Sequence, residues 1–270
     1  MTRPSVAVVA PLTGPRTAWG AVLLDQLEQI RAVSPDAAEW QVYDETPDVA
    51  RTVADAGHAA VVGHTDTEGA RRALPVYEAA GLVCLLPFVR AGAPALSWAP
   101  DGDALARTVV EAAMALGVTA LTVSQDEEPG WTALGRAVAE EARSAGLTSG
   151  PGGALAVLAP QDRFARFARG AGPVLTPADC GLNSFTRLRH AAAEREVWAV
   201  HPRMCAVRRV QTAVTALAGS LSGAPALRGT ALADAVRARS GALLARGGAP
   251  LDDGWLVSRL SWTCPVRDPL

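Results

Sequence analysis

Residues 61–87 read VVGHTDTEGARRALPVYEAAGLVCLLP, and their pattern decides the fold. Val61 and Val62 belong to a short apolar strand, His64 to Glu68 make a polar turn, a helix follows, and a second apolar strand closes at Pro87. Strand, helix and parallel strand form the unit of an α/β sheet. The first turn of a helix carries backbone N–H groups without internal partners and the positive end of the peptide dipole, so the 64–68 turn is suited to cradle an anion. It lies beyond the carboxyl end of a strand, where open α/β sheets bind ligands. The alternative is local: Thr65 or Thr67 caps the helix.

The same alternation extends both ways. Strands are expected at 5–10, 39–43, 59–63 and 82–86, with helices at 17–32, 48–56 and 68–80. The Gly-, Ala- and Pro-rich loop 88–101 reads as a hinge. A second series follows: helix 103–116, strand 120–124, helix 130–145, strand 155–159, helix 161–168 and strand 173–175. Val207, Val210, Val214 and Leu217 recur at helical spacing within a helix expected over 204–220. Residues 255–262 alternate like a closing strand. This rhythm defines an α/β fold with mostly parallel sheets flanked by helices.

Three segments carry a family resemblance. GH, a polar run, A-x-x-x-YE and AAGL in 63–82 resemble the third strand–helix–strand unit of type I periplasmic binding proteins, in the branch that captures branched-chain amino acids and amides. VAVVAPLTGPRTAWG at 6–20 is similar to that branch's opening strand and loop, and WAPDGDALA at 98–106 to its crossover into a second lobe. Order and spacing agree across 5–147; beyond 148 only the rhythm and the GWLVSRLSW ending at 254–262 agree. The resemblance implies two lobes, 1–97 plus about 185–245 and 98–184 plus about 246–270, with a ligand cleft and hinge between them. The second lobe is shorter than the family norm, with one strand–helix unit missing around 148–153.

The resemblance also implies site residues. The turn that holds the ligand carboxylate maps to Thr65, Asp66, Thr67, Glu68 and Gly69, although two acids here replace hydroxyls. Trp19 matches the aromatic that covers the ligand. Phe88 and Arg90 stand where a small residue and a threonine are usual; Arg90 is either a bidentate carboxylate clamp or an exposed hinge cation. In the second lobe Pro129 replaces a tyrosine, leaving Trp131 to close over a ligand and Glu127 or Glu128 to meet an amine. A second tyrosine is absent from Leu158, Ala159 and Pro160. Asp179 maps to the acid that receives the ligand ammonium.

Composition narrows the chemistry. The 270 residues, 49% of them hydrophobic, suffice for one large core or two modest ones. A net charge of −2 provides no basic field for nucleic acid. All 25 basic residues are Arg, which excludes a lysine Schiff base and a P-loop lysine. Cys84, Cys180, Cys205 and Cys264 form no C-x-x-C pair, which suits a reducing compartment. MTRPS leads straight into the first strand and no 18-residue apolar run exists, so a cytoplasmic protein without membrane insertion is expected. His58, His64, His190 and His201 have no metal spacing, and no metal or cofactor is expected. His64 beside Asp66 and Glu68 is a conceivable general base, although the binders carry His there without chemistry. The expected function is a small-molecule binding protein, amino-acid or amide-like in its ligand, acting as a cytoplasmic sensor or regulator through lobe closure. An enzyme recruiting the same cleft, or a scaffold with an empty one, are the alternatives; a protein partner or homodimer stays open.

Overall fold

A computed structural model describes residues 3–14, 16–150, 152–161, 163–178, 188, 195–246 and 254–260. The chain divides into two compact units, Met1–Ala99 with Met204–Asp253, and Pro100–Arg203 with Gly254–Leu270.

The first unit is built on β1 (Ser5–Ala10), β2 (Glu39–Asp44), β3 (Ala60–Gly63), β4 (Val83–Leu86) and β5 (Leu96–Ser97), in the order β2-β1-β3-β4-β5 and all parallel. Successive residues of a strand face opposite sides, and Val6 to Ala10 are all essentially buried. Both faces of the sheet are therefore covered, as a parallel sheet requires. Its helices are α1 (Thr17–Val33), α2 (Val49–Asp55) and α3 (Thr67–Ala79). In α3 the buried positions Ala70, Ala73, Leu74 and Tyr77 follow the i, i+3, i+4, i+7 stripe of an amphipathic helix.

The second unit holds α4 (Gly102–Ala115), β6 (Leu121–Gln125), α5 (Pro129–Ser144), β7 (Ala154–Leu158), α6 (Phe164–Phe167), β8 (Val174–Pro177), β9 (Val197–Pro202) and β10 (Trp255–Leu260). Its strand order is β10-β9-β8-β7-β6, parallel except for β10, which runs antiparallel to β9. The period of two is explicit in β7. Ala154, Ala156 and Leu158 join Val109, Val110 and Val138 of α4 and α5 in one core, while Leu155 and Val157 join Phe164 and Val197 in the other. After β9 the chain returns to the first unit through α7 (Ala206–Gly223) and α8 (Gly229–Arg246).

Four expectations need correction. Residues 197–202 form β9, hydrogen-bonded in parallel to β8, so they belong with the second sheet and not with the first lobe. The loop 88–101 contains β5, which extends the first sheet. The helix expected over 161–168 is a single turn, Phe164–Phe167; Ala168 leaves helical geometry at ψ 51° and Gly170 follows at φ 137°. Helix α8 was not anticipated; Leu232, Val236, Ser240 and Leu244 are its buried i, i+4 row.

Candidate functional site

The carboxyl ends of β1 to β4 gather the first group of expected residues. β2 ends on Asp44, whose carboxylate accepts the Leu12 N–H at 2.8 Å and the Thr13 hydroxyl at 3.4 Å, fixing the loop after β1. Glu45, the next residue, reaches the turn after β3. Its carboxylate accepts the Thr65 N–H at 2.9 and 3.1 Å, the Thr65 hydroxyl at 2.6 Å and the Asp66 N–H at 3.4 Å. His64 Nδ1 lies 3.2 Å from the same carboxylate and Nε2 lies 2.9 Å from the Tyr77 hydroxyl, so both ring nitrogens are engaged.

Backbone geometry makes this possible. Gly63 sits at φ 143°, and a Cβ there would lie 1.9 Å from the Val9 carbonyl oxygen, so only glycine lets β3 end this close to β1. His64 follows at φ 60°, a left-handed conformation that side chains other than glycine rarely adopt. That bend turns the Thr65 and Asp66 N–H groups toward Glu45. Burial alone would raise the Glu45 carboxyl, but the hydrogen bonds from His64 and Thr65 outweigh it and hold it below the ordinary glutamate range. Burial pushes the Tyr77 hydroxyl up, keeping it neutral.

The remaining residues of the turn have local partners. Asp66 is the N-cap of α3, accepting the Gly69 N–H at 2.7 Å, and it pairs with Arg16 at 3.2 Å. Thr67 opens α3 and Glu68 follows in its first turn, 3.5 Å from Arg71 in an exposed pair. Trp19 and Phe88 meet in a T-shaped contact with ring centroids 5.1 Å apart. A Cβ on Gly20 would lie 2.3 Å from the Pro11 carbonyl oxygen, so α1 approaches the β1 loop only because residue 20 is glycine. Arg90 is exposed two residues beyond Phe88. Trp19 and Phe88 are thus brought together, as are Arg16 and the Asp66 turn.

The second unit has its own polar cluster beyond β6 and β7. The buried carboxylate of Asp126 accepts from Arg163 Nη1 at 2.9 Å and from the Glu128 N–H at 3.1 Å, while Arg163 Nη2 holds Glu128 at 3.1 Å. Asp126 and Glu128 keep the Arg163 guanidinium firmly protonated. Glu128 is therefore engaged within the chain, and Glu127 is exposed. Trp131, in the first turn of α5, is partly buried against the core of the second unit. Asp179 lies outside the described residues. Among the described residues no group of three or more His, Cys, Asp and Glu side chains is arranged to hold a metal ion, and no helix is long and apolar enough to cross a membrane.

Glu45 is a residue that sequence reasoning missed, as is Arg163 in the second unit. The signal for Glu45 was its place directly after an expected strand, the carboxyl end where α/β sheets carry their sites.

Two mostly parallel sheets flanked by helices, with polar turns at the carboxyl ends of their strands, define the class: the chain has the type I periplasmic-binding-protein fold. No protein-family model and no curated protein matches the chain, but solved structures do. It is similar to a leucine-binding protein, LivK, from Thermotoga maritima, with a TM-score of 0.63 and 14% identity over 87% of each chain. It is similar to an extracellular ligand-binding receptor from Rhodopseudomonas palustris, with a TM-score of 0.62 and 12% identity over 88% of each chain. A branched-chain amino acid substrate-binding protein, LivJ, from Streptococcus pneumoniae, in complex with isoleucine, gives 0.60 and 13% identity over 87% of this chain and 88% of the other. At these identities the likeness concerns the fold, and it agrees with the fold expected from the three motif segments.

Proposed function

We propose that the chain is a binding protein for a small polar molecule, with the carboxyl-end edge of the first sheet as its ligand face. One observation carries the reading: the Trp19–Phe88 and Arg16–Asp66 contacts join the loops after β1, β3 and β4 into one surface with both aromatic and charged groups. Pockets that take small ligands combine an apolar wall with a few placed polar groups in this way. The neighbours in fold include a leucine-binding protein and one in complex with isoleucine, which supports an amino-acid or amide-like ligand class. A cytoplasmic sensing or regulatory role, read out by ligand-dependent movement of the two units, completes the proposal.

A thermal-shift screen tests it, using amino acids, their amides and small amines, with hits repeated by calorimetry. The expected result is one chemical class that raises the melting temperature saturably, because a ligand bound only by the folded state stabilises it. A flat response across all three classes in both methods would remove the binding reading.

A further inference from the structure

In the first sheet β1 is flanked by β3 on one side and by β2 on the other. In the second, β6 is flanked by β7 and the sheet stops there, so the position that β2 fills beside β1 has no strand beside β6. After α5 the chain meets that side of β6 at one bridge: Thr148 lies against Ala120, donating to the Thr119 carbonyl at 3.0 Å and accepting the Leu121 N–H at 2.9 Å. Two residues on, the Gly150 carbonyl accepts the Thr122 hydroxyl at 3.0 Å, and β7 then begins at Ala154 on the opposite side of β6.

Backbone accounting shows what this leaves. The Ala120 carbonyl and the Asp126 N–H are paired with Ala154 and Leu158 on the β7 side. These directions alternate along a strand, so Leu121, Val123 and Gln125 turn their backbone groups outward. Thr148 takes the Leu121 N–H, but among the described residues nothing pairs with the N–H and C=O groups of Val123 and Gln125. Residues 122–125 are only half-buried. The other sheet edges are guarded: β2 has Glu39 and Asp44 at its ends, β5 has only two residues, and β10 carries Arg259, 3.2 Å from Glu196. Short length and charge are devices by which proteins keep sheet edges from pairing. β6 reads LTVSQ, five residues with neither charge nor proline.

We propose that β6 is a pairing edge for a second copy of this chain, joined antiparallel across a twofold axis beside Ser124. In that register Val123 and the partner's Gln125 exchange both backbone hydrogen bonds, Gln125 does the same with the partner's Val123, and no free donor of either edge is left over. Thr122 then lies opposite the partner's Asp126, and Ser124 opposite the partner's Ser124, so no like charges are opposed. The same symmetric pairing of β2 would set Glu39 against the partner's Asp44, which is unfavourable. A second copy also suits the edge better than a flexible peptide does. The strand it brings is already ordered, which lowers the entropy cost of association, and a twofold pairing closes on itself instead of growing into a filament. The inference is independent of any ligand.

Sedimentation of the full chain tests this at about 100 µM, a concentration that populates even a small interface. The expected mass is twice the 27.9 kDa of one chain, falling toward the monomer on dilution. Val123→Pro deletes an N–H that points away from β7, a place where an edge strand tolerates proline, and Ser124→Lys sets like charges beside the axis. Both are expected to sediment as folded monomers at the same concentration, whereas Gln41→Lys, the matching change on the exposed β2 edge, is expected to stay dimeric. Ser124→Cys, nearly isosteric with the native residue, gives a direct readout that survives if the other two fail to fold. Residues opposed in a non-hydrogen-bonded antiparallel pair have Cα atoms about 4.5 Å apart, within disulfide reach. Oxidised glutathione is therefore expected to link two Ser124→Cys chains covalently, well above the background set by the cysteines of the wild type. A wild type that is monomeric at about 100 µM would overturn the proposal. So would a dimer that persists in Val123→Pro and Ser124→Lys, or crosslinking of Ser124→Cys no greater than that of the wild type. Loss of the dimer in Gln41→Lys would overturn it as well, by placing the contact on the first unit.

Discussion

Trp19, in the first turn of α1, and Phe88, just past the end of β4, meet nearly at right angles, with an interplanar angle of 77° and ring centroids 5.1 Å apart. The contact joins two segments almost seventy positions apart in the chain, and it anchors the aromatic wall of the candidate ligand face. Phe88 is 8% exposed, so it is a core residue as well as part of the candidate face. Phe88→Ala is expected to cost about 3 kcal/mol or more, from lost burial plus the void it leaves, while Phe88→Leu should cost less than about 1.5 kcal/mol because volume is largely kept. Urea denaturation of both variants checks this. Equal effects would mean that the ring edge contact, and not packing volume, dominates at this position.

The approach of β3 to β1 gives a sharper contrast. At Gly63 a Cβ would meet the Val9 carbonyl oxygen at 1.9 Å, whereas at Gly57, also at positive φ, a Cβ would meet nothing within 4 Å. Gly57→Ala should therefore cost only the left-handed backbone strain, about 1 kcal/mol. Gly63→Ala must also displace a strand and should abolish soluble folded protein or lower stability by several times as much. Comparable denaturation midpoints for the two variants would contradict the register that pairs Val9 with Gly63.

The difference between what could be read in the sequence and what could not follows from range. Local signals succeeded. The 3.6-residue stripe of α3, the apolar runs of β1, β3 and β4 and the polar turn between Gly63 and Gly69 are written in adjacent residues. Asp66 was expected at the site, and its capping of α3 was the kind of local role foreseen for the turn, though the cap falls on Asp66 and not on Thr65 or Thr67. Glu45 was invisible as a partner of Thr65 because twenty residues separate them and only the parallel pairing of β1 with β2 and β3 brings them together. β9 was not legible although VWAV is apolar, because only its pairing with β8 and β10 places it in the second sheet. Arg163 escaped because its two acidic partners, Asp126 and Glu128, lie on the far side of α5 and β7 in sequence.

Helix α8 lacked a strong amphipathic stripe: arginines and alanines alternate around it, and its buried row is only one residue wide. Its place in the first unit rests on packing against α7 and β4. Leu232, fully buried on that row, should cost about 2–5 kcal/mol when changed to Ala. Arg237→Ala, on the exposed face where it pairs with Asp234, should change stability by less than about 0.5 kcal/mol. Guanidinium titrations of both variants separate a docked helix, for which the two differ widely, from a loosely attached one, for which both are small.

The last prediction concerns acid, where two buried groups act in separate windows. His58 is enclosed between the Ser5 hydroxyl at 2.7 Å and the Tyr43 hydroxyl at 2.8 Å. Burial lowers its pKa from 6.5, against a smaller opposing effect of Glu39. The unfolded chain therefore takes up a proton at His58 before the folded chain does. Its contribution to stability is complete above about pH 6.5 and is lost as the pH falls toward the lower folded value. Glu45 also has a lowered folded pKa, since the donors from His64 and Thr65 prevail over burial. Its contribution is complete above the ordinary value of 4.5 and is lost as the pH falls through the folded value beneath it. Both shifts have the same sign, so stability should fall on acidification in two steps, each no steeper than about 1.4 kcal/mol per pH unit. Free energies of unfolding measured from pH 8 to pH 3.5 should show the upper step removed in His58→Gln and the lower step removed in Glu45→Gln. A Glu45→Gln curve parallel to the wild type below pH 4.5 would mean that the Thr65 and Asp66 donors do not discriminate a carboxylate from an amide.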